Sequence, residues 1–348
     1  MRWGRAGNSL ASVSRIGHHE PMPVIPPKLR PGSSVRVIAP SRSLALIGAG
    51  TRAEADQKLA ALGLHVSFGE HVEECDDFVS SPVAARLADL HAAFADPGVD
   101  GILTVIGGFN SNQLLGGIDY SLIAAHPKVL CGFSDITALS NAIYARTGLA
   151  GYSGPHYSSF GMKHHFGYTE AGFVACIMKD EPVELGPSPT WSDDPWYLDQ
   201  EDRHLETGTD WWVLQEGEAA GTIVGGHLCT LNLLQGTPYM PSLDGTVVFV
   251  EDDDQVKPWD FDRDLVSLLQ QPAFGGVTGL VIGRFQRETG MTRDLLAQIV
   301  ASKPELAGLP VMANVDFGHT TPAMTFPIGG TVEVRAGQSA PRLTITRH

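Results

Sequence analysis

The sequence predicts an α/β protein in which an N-terminal domain with a parallel, Rossmann- or flavodoxin-like sheet precedes a smaller mixed α/β C-terminal domain. Short apolar segments typical of strands alternate with segments of helical spacing between residues 34 and 147, and this alternation favours a parallel sheet with helices on both faces. The alternation stops near residue 187 and resumes near residue 221. A chain of 348 residues with 43% hydrophobic side chains is long enough for two cores.

The elements of the first domain follow from periodicity and from the residues that end helices. Val83, Leu87, Leu90 and Phe94 share one helical face, and Gly148 follows the last turn of another predicted helix as a C-cap. Ligands of such sheets bind beyond the carboxyl ends of the strands. The predicted strands are 34–39, 65–68, 99–106 and 129–131, and the predicted helices are 51–62, 81–95, 120–125 and 136–147.

We expect four parts along the chain. Residues 1–25 contain no continuous apolar h-region, so they predict a disordered extension rather than a secretory signal. Residues 26–186 form the N-terminal domain, 187–220 a linker or lid rich in Trp, Pro and Asp, and 221–348 the C-terminal domain. In that last part we predict strands at 246–250, 279–282 and 311–314, helices at 228–234, 262–270 and 293–302, and a terminal hairpin of 331–335 with 343–346.

The charge and the cysteines restrict the function classes. A formal net charge of -15 argues against a nucleic-acid polymer or an anionic membrane as a partner. The four cysteines are scattered without a C-x-x-C pair, which is typical of a reduced, cytoplasmic protein rather than of a disulfide framework or a zinc site. No apolar run approaches membrane-spanning length.

Two predicted strand ends carry residue types that acyl-transfer chemistry requires. Ser134 follows the strand 129–131 and precedes a helix, and Gly107 and Gly108 follow the strand 99–106. A serine can act as a nucleophile, and a glycine loop lets backbone N–H groups approach a developing oxyanion. A Ser-Asp pair at a helix start is also a common N-cap, so the residues alone leave both interpretations open.

A serine nucleophile needs a base and a carboxylate that orients the base. Glu251 ends the predicted strand 246–250 and opens an acidic run, and His319 lies in a loop after the strand 311–314. Such a run is also compatible with a solvated surface, a helix cap or a hard-cation site. A loop histidine is frequently structural, and these alternatives stay open on the residues alone.

Several other chemistries lack their motifs. The sequence has no G-x-S-x-G elbow, no H-E-x-x-H helix and no G-x-x-x-x-G-K-[ST] loop. Gly107 and Gly108 do not complete a G-x-G-x-x-G fingerprint. The sequence therefore predicts neither an ordinary α/β-hydrolase, a zinc hydrolase nor a P-loop NTPase.

Aromatic residues concentrate in the predicted linker, which contains Trp191, Trp196, Tyr197, Trp211 and Trp212. Tryptophans frequently anchor irregular segments to a protein body. They can also stack on a flat ligand such as a purine, where each base contributes about 1–3 kcal/mol. The residues favour neither function over the other.

Seven ordered segments between residue 26 and the C-terminus resemble the LD-carboxypeptidase family of serine peptidases, and most closely its microcin C7 self-immunity branch. They are I-A-P-S (38–41), G-G-F-N-S-N (107–112), C-G-F-S-D-I-T-A-L (131–139), Y-S-G-P-H-Y-S-S-F-G (152–161), G-G-H-L-C-T-L-N-L-L-Q-G-T-P (225–238), V-F-V-E-D (248–252) and F-G-H-T-T-P (317–322). The resemblance implies a catalytic triad of Ser134, Glu251 and His319. It also implies an oxyanion hole formed by the backbone N–H groups of Gly108 and Asp135, with no metal or cofactor.

The resemblance also implies a substrate. The microcin branch cleaves the amide between a peptidyl or aminoacyl carboxyl and a nucleotide, and its tryptophan-bearing loop stacks on adenine. Trp191, Trp196 and Asn110 are the substrate-binding residues implied here, and a homodimer is implied as well. The ordinary branch instead trims murein tetrapeptide, so a murein carboxypeptidase is the alternative. An immunity module that binds the nucleotide-peptide without turnover is the alternative of another class.

Overall fold

A computed structural model describes residues 22–348, so residues 1–21 of the predicted extension lie outside the described residues. Within the described range the chain forms fourteen strands and eight α-helices. The strands are β1 (Ser34–Ile38), β2 (His65–Phe68), β3 (Gly101–Thr104), β4 (Val129–Cys131), β5 (Gly151–Ser153), β6 (Val183–Leu185), β7 (Trp212–Gln215), β8 (Gly217–His227), β9 (Thr246–Glu251), β10 (Gly279–Gly283), β11 (Val311–Val315), β12 (Phe326–Ile328), β13 (Thr331–Ala336) and β14 (Arg342–Arg347).

The helices match most of the predicted positions. They are α1 (Ala49–Ala61), α2 (Val83–Ala95), α3 (Tyr120–Ala125), α4 (Ile136–Thr147), α5 (Gly167–Met178), α6 (Leu228–Asn232), α7 (Pro258–Leu269) and α8 (Arg293–Ala301). Helix α2 begins two residues later than predicted because Pro82 occupies its N-cap in an extended conformation. Helix α4 ends as predicted at Gly148, whose φ of 74° is the left-handed conformation that glycine adopts most readily. None of the helices in this part of the chain combines the length and apolar character that a bilayer crossing requires.

The first sheet has the strand order β12-β5-β4-β3-β1-β2. Its five N-terminal strands run parallel, and β12 joins the edge antiparallel to β5. Strand β3 is fully buried, as expected for a parallel strand covered by helices on both faces. This sheet and the second, mixed one confirm the predicted α/β class.

The second sheet has the order β6-β14-β13-β8-β9-β10-β11-β7. Strands β8 to β11 form a parallel centre, and antiparallel strands flank it on both sides. The predicted terminal hairpin is confirmed as the antiparallel pair β13 and β14. Strands β7 and β8 occupy residues 212–227, so the irregular segment that precedes them spans 186–211 rather than the expected 187–220.

Helix α4 docks onto the end of β8 and thereby aligns the two sheets. The side chain of Asn141 donates to Gly225 O at 2.8 Å and accepts from Gly225 N at 3.2 Å. The hydroxyl of Thr137 accepts from His227 N at 3.0 Å. A Cβ atom on Gly226 would lie 2.4 Å from the same hydroxyl, so the approach requires glycine. Since α4 begins beside Ser134 and β8 pairs with β9, this contact brings the carboxyl ends of both sheets together.

Candidate active site

Ser134 lies in the turn between β4 and α4 and has a backbone φ of 60°. This left-handed conformation is rare for a residue with a side chain, costs about 1–3 kcal/mol and is concentrated at functional sites. A Cβ atom on Gly107 would lie 3.0 Å from Ser134 Oγ, so glycine keeps the space beside the hydroxyl open. The N-cap position belongs to Asp135, which makes no side-chain capping bond. The simple N-cap interpretation of Ser134 therefore does not describe this turn.

The structure brings Ser134, His319 and Glu251 into one hydrogen-bonded series. His319 Nε2 lies 3.0 Å from Ser134 Oγ, and His319 Nδ1 lies 2.8 Å from Glu251 Oε2. Glu251 is the last residue of β9 and is only 3% exposed. Gly318 has a φ of 104°, and a Cβ atom there would lie 2.5 Å from Glu251 Oε2. Glycine before His319 thus lets the loop close over the carboxylate.

The charges of His319 and Glu251 shift the pKa values of both residues in the direction opposite to the effect of burial, and the charges have the larger effect. Burial alone would lower the pKa of His319, but the Glu251 charge and hydrogen bond raise this pKa to about 9. Burial alone would raise the pKa of Glu251, but the charge of His319 and its hydrogen bond hold that pKa below the ordinary value. The pair is therefore arranged to stabilise an imidazolium, the species that forms when a histidine accepts a serine proton.

Gly108 lines the same cavity as Ser134, and Asp135 follows Ser134 in the chain. Within residues 22–348 the backbone N–H group of neither Gly108 nor Asp135 donates a hydrogen bond to a protein acceptor. The Asp135 carboxylate holds the two loops together, since Asp135 Oδ2 accepts from Asn110 N at 3.0 Å, from Ser111 N at 2.9 Å and from Ser41 Oγ at 2.6 Å. This carboxylate thus fixes the glycine loop relative to the serine, as a preformed oxyanion site requires.

Asn110 has a supporting place rather than one in the cavity wall. It is 5% exposed, and its backbone and side-chain oxygens accept hydrogen bonds from the buried Arg86 at 3.1 Å each. The Arg86 guanidinium also donates to Pro40 O and to Gln113. The sequence-based assignment of Asn110 to substrate contact therefore differs from its position, which is behind the glycine loop.

Ser134 and His319 open into a cavity of about 560 Å³. Gly107, Gly108 and Phe133 line it together with the serine, and Trp196 and Tyr197 form part of its wall. This volume lies within the 300–1,000 Å³ range of small-molecule sites. Its acidic lining residues are Asp193, Asp194, Asp253 and Asp254.

The segment 186–211 supplies the aromatic wall and is fastened to the His319 loop. Ser192 and Thr321 exchange backbone hydrogen bonds of 2.7 and 2.8 Å. Trp196 lines the cavity, whereas Trp191 is absent from the lining and lies beneath Arg284 and Arg287, 5.3 and 6.0 Å from its ring centre. The expectation that both indoles face a ligand is thus corrected for Trp191, because its backbone pairs with Glu206.

Trp211 serves the anchoring role that the sequence left open. Its indole Nε1 donates to the buried carboxylate of Asp316 at 2.8 Å, and the residue is 4% exposed. Asp316 also forms an ion pair of 2.8 Å with Arg284. Trp212 begins β7 and pairs with β11. The aromatic cluster therefore divides between anchoring residues and the two residues of the cavity wall, Trp196 and Tyr197.

Two family models match the chain in order. The LD-carboxypeptidase N-terminal domain matches residues 35–154, and the LD-carboxypeptidase C-terminal domain matches residues 220–334. This chain belongs to the LD-carboxypeptidase family. The matched ranges contain Ser134 in the first domain and both Glu251 and His319 in the second. As a member of this serine peptidase family, the chain is an enzyme of the hydrolase class.

Individual relatives cover nearly the whole chain. One relative is YocD of Bacillus subtilis, whose name assigns it provisionally to the carboxypeptidases. It is 49% identical to this chain over 92% of this chain and 99% of its own length. The crystal structure of an MccF-like protein from Bacillus anthracis superposes with a TM-score of 0.92 at 48% identity, covering 93% of this chain and 100% of that chain. The microcin C7 self-immunity protein MccF in complex with aspartyl sulfamoyl adenosine has a TM-score of 0.84 at 25% identity, covering 94% and 99%.

His227 is a residue of this LD-carboxypeptidase site that the sequence analysis did not assign. Its ring centre lies 5.2 Å from that of His319, and its Nε2 atom lies 3.2 Å from Asp252 Oδ1. Burial lowers the pKa of His227, while burial and the Glu251 charge raise the pKa of Asp252 to about 8. The imidazole of His227 thus lies beside that of His319, and burial favours its neutral form. The G-G-H motif of residues 225–227 was the available signal.

Two groups of side chains here have donors that suit a cation. His227, Asp253 and His319 form one group, and His227, Cys229 and Asp252 form the other. In each group the potential ligand atoms lie within 4.8 Å of one another. Glu251 is paired with His319 and Asp254 is exposed, so the acidic run 251–254 does not converge on one point.

Proposed function

We propose that this LD-carboxypeptidase relative hydrolyses the amide between a peptidyl or aminoacyl carboxyl and a nucleotide-linked nitrogen. The observation that carries the proposal is the series Ser134, His319 and Glu251 at the mouth of a cavity whose wall includes Trp196. The three hydrogen-bonded side chains support acyl-transfer chemistry, and the indole of Trp196 supports recognition of a flat leaving group. In a cell, such a reaction gives resistance or self-immunity to peptidyl-nucleotide toxins of the microcin C7 type.

Acylation begins when Ser134 Oγ attacks the substrate carbonyl carbon and His319 Nε2 takes the hydroxyl proton. The 3.0 Å separation of these atoms is within hydrogen-bond reach. Glu251 holds the imidazole by Nδ1 and stabilises its positive charge. The backbone N–H groups of Gly108 and Asp135 donate to the oxyanion.

The tetrahedral intermediate collapses when the carbon–nitrogen bond breaks. His319 Nε2 gives its proton to the departing nitrogen, and the acyl group remains as an ester on Ser134. Water then attacks the ester carbonyl while His319 takes a water proton, and that proton returns to Ser134 Oγ as the ester bond breaks. The products are a free carboxylic acid and the nucleotide amine, and this sequence needs no metal or cofactor.

Trp196 is the residue that we assign to the leaving group. Trp196 lines the cavity and also packs against buried apolar side chains, so the residue is held in place before a ligand arrives. Stacking of a base on such a ring contributes about 1–3 kcal/mol. The complex of MccF with aspartyl sulfamoyl adenosine supports this assignment, since that relative shares the fold.

The test is hydrolysis of aspartyl sulfamoyl adenosine in water enriched in ¹⁸O, followed by mass spectrometry. We expect free aspartate with one ¹⁸O atom in its carboxyl group, together with sulfamoyl adenosine. The Ser134→Ala variant should release neither product. Intact ligand recovered from the wild-type protein would instead favour a non-catalytic binding module.

A murein tetrapeptide carboxypeptidase is the second candidate, and the family models favour it because they describe LD-carboxypeptidases. In that reaction the leaving group is a D-amino acid rather than a nucleotide. The same triad would act, but Trp196 would have no base to stack on.

We further propose that the enzyme is a homodimer and that it acts in the cytoplasm. Gel filtration with light scattering would test the dimeric state.

A further inference from the structure

We infer that Arg42 is a binding site for an anionic group of the substrate next to the scissile amide. The inference rests on the proposed hydrolase function and adds the charge of the substrate to it. The place of Arg42 in the cavity lining beside the glycine loop, and the acidic residues of the same lining, carry the inference.

The backbone of Arg42 is held firmly against the glycine loop. Its N–H donates to Gly107 O at 3.4 Å, and the residue forms an antiparallel bridge with Ser80. The preceding residue, Ser41, is fully buried and hydrogen-bonded to Asp135. A Cβ atom on Gly108 would lie 2.9 Å from Arg42 Cγ. The Arg42 side chain therefore leaves a rigid base directly beside the proposed oxyanion loop.

The head of this side chain has no partner among the residues that the structure describes. Arg42 is exposed, and within residues 22–348 its guanidinium makes no hydrogen bond or ion pair. Other arginines near the cavity are paired: Arg287 binds Asp193 and Asp194, and Arg284 binds Asp316. Because Arg42 lines the cavity, its guanidinium is free to bind an anionic group that enters there.

The surrounding charge makes the cation necessary for an anionic ligand. Arg42 is the only arginine or lysine among the described residues that line the cavity. Four aspartates also line it; Arg287 pairs with Asp193 and Asp194, whereas Asp253 and Asp254 have no arginine or lysine partner within residues 22–348. An anionic substrate would be repelled by these carboxylates unless a cation offset them near its own charge. A guanidinium binds carboxylate and phosphate oxygens through two parallel N–H bonds, which also fixes their orientation.

Both proposed substrate classes carry such an anion. A peptide that ends in a D-amino acid has a carboxylate on the leaving residue, and a nucleotide has a phosphate. The shared chemistry is an oxyanion a few bonds from the carbonyl that Ser134 attacks. Arg42 therefore selects for charge, while the aromatic wall selects for the shape of the leaving group.

The experiment measures binding by calorimetry in the Ser134→Ala protein, so that turnover does not interfere. One pair of probes is adenosine monophosphate and adenosine, and the other is a peptide ending in D-alanine and its C-terminal carboxamide. Each probe is measured with and without Arg42→Gln. Arg293→Gln, an exposed arginine outside the cavity, is the matched control.

We expect Arg42→Gln to weaken the charged member of at least one pair by about 10- to 100-fold, with a change below about 3-fold for its neutral partner. Arg42→Lys should restore part of the affinity, and Arg293→Gln should change nothing. The pair that responds identifies the source of the anion. Equal weakening of charged and neutral probes, or no charge preference in the parent protein, would overturn the inference. Because these readouts do not need turnover, they stand apart from failure of the hydrolysis test.

Discussion

His319 Nε2 lies 3.0 Å from Ser134 Oγ although 185 residues separate the two in the chain. Each residue follows a strand of a different sheet, so the contact depends on how α4 of the first sheet packs on β8 of the second. The site is therefore a product of sheet-to-sheet docking rather than of a local motif. The predictions below test the parts of this arrangement one at a time.

Removing the hydroxyl tests the nucleophile. Ser134→Ala should lower kcat by about 10⁴- to 10⁶-fold, because the covalent step is lost while the cavity keeps its shape. The dissociation constant for a sulfamoyl adenosine ligand, measured by calorimetry, should stay within a few-fold of the parent value. Near-normal turnover by the variant would exclude Ser134 as the nucleophile.

The pH dependence tests the pairing of His319 with Glu251. His319 must be neutral to accept the serine proton, and its pKa is raised to about 9. We therefore expect kcat/KM of the free enzyme to increase with pH and to level off above about 9. Glu251→Gln removes the charge that raises this pKa, so its profile should level off at lower pH and at a lower maximum. Identical profiles for the two proteins would contradict the pairing.

The Asp135 carboxylate tests the preformed oxyanion site. Asp135→Ala removes the carboxylate that accepts three hydrogen bonds, so the glycine loop should loosen. We expect kcat to decrease by about 10²- to 10³-fold with little change in KM, as for loss of an oxyanion donor. Steady-state kinetics measure this effect, and thermal unfolding separates it from loss of the fold. Ser41→Ala, which removes a single one of the bonds, should give a smaller decrease in kcat.

Two tryptophans provide a matched test of leaving-group recognition. Trp196→Ala should weaken adenylate analogues by about 1–3 kcal/mol and murein peptides much less. Trp191→Ala should affect thermal stability more than binding, since its ring packs under Arg284 and Arg287 rather than in the cavity. Equal losses of nucleotide and peptide affinity in Trp196→Ala would make Trp196 a structural residue.

Chelation tests the acidic run after β9. The proposed mechanism uses no metal, so dialysis against EDTA should leave kcat/KM unchanged within about 2-fold. Loss of a catalytic Lewis acid would decrease kcat/KM much more, because such an ion supplies several kcal/mol of transition-state stabilisation. The experiment is informative because His227, Cys229, Asp252 and Asp253 belong to groups of side chains that could bind a cation. Activity that disappears in EDTA and returns with a divalent cation would favour a metal-dependent hydrolase.

The local sequence pattern predicted the fold class, and it predicted that Ser134, Glu251 and His319 lie at strand ends. Parallel strands and the loops that follow them have such a local pattern. It did not predict β5 and β12, whose pairing joins residues 151–153 to 326–328. Such pairing depends on tertiary contacts across the chain. Strand β8 was not predicted either, because its first residues, Gly217 to Gly221, are glycine, glutamate and alanine, which have low strand propensity.

The places of individual side chains in the site were less predictable. His227 approaches His319 because the register of β8 and β9 pairs His227 with Glu251, and no spacing in the sequence encodes that register. Trp191 and Trp196 have the same residue type and lie five positions apart, yet only Trp196 lines the cavity. The difference comes from the backbone pairing of Trp191 with Glu206 within the irregular segment.

The central claim is that a nucleotide-linked amide is the preferred substrate of the Ser134 site. The most direct measurement compares kcat/KM for aspartyl sulfamoyl adenosine and for a murein tetrapeptide, on one preparation with Ser134→Ala as the blank. The account predicts that the adenylate analogue is cleaved at least about 10²-fold more efficiently, which corresponds to the free energy of one stacked base and its neighbouring contacts. Efficient cleavage of the tetrapeptide together with an inert adenylate analogue would contradict it.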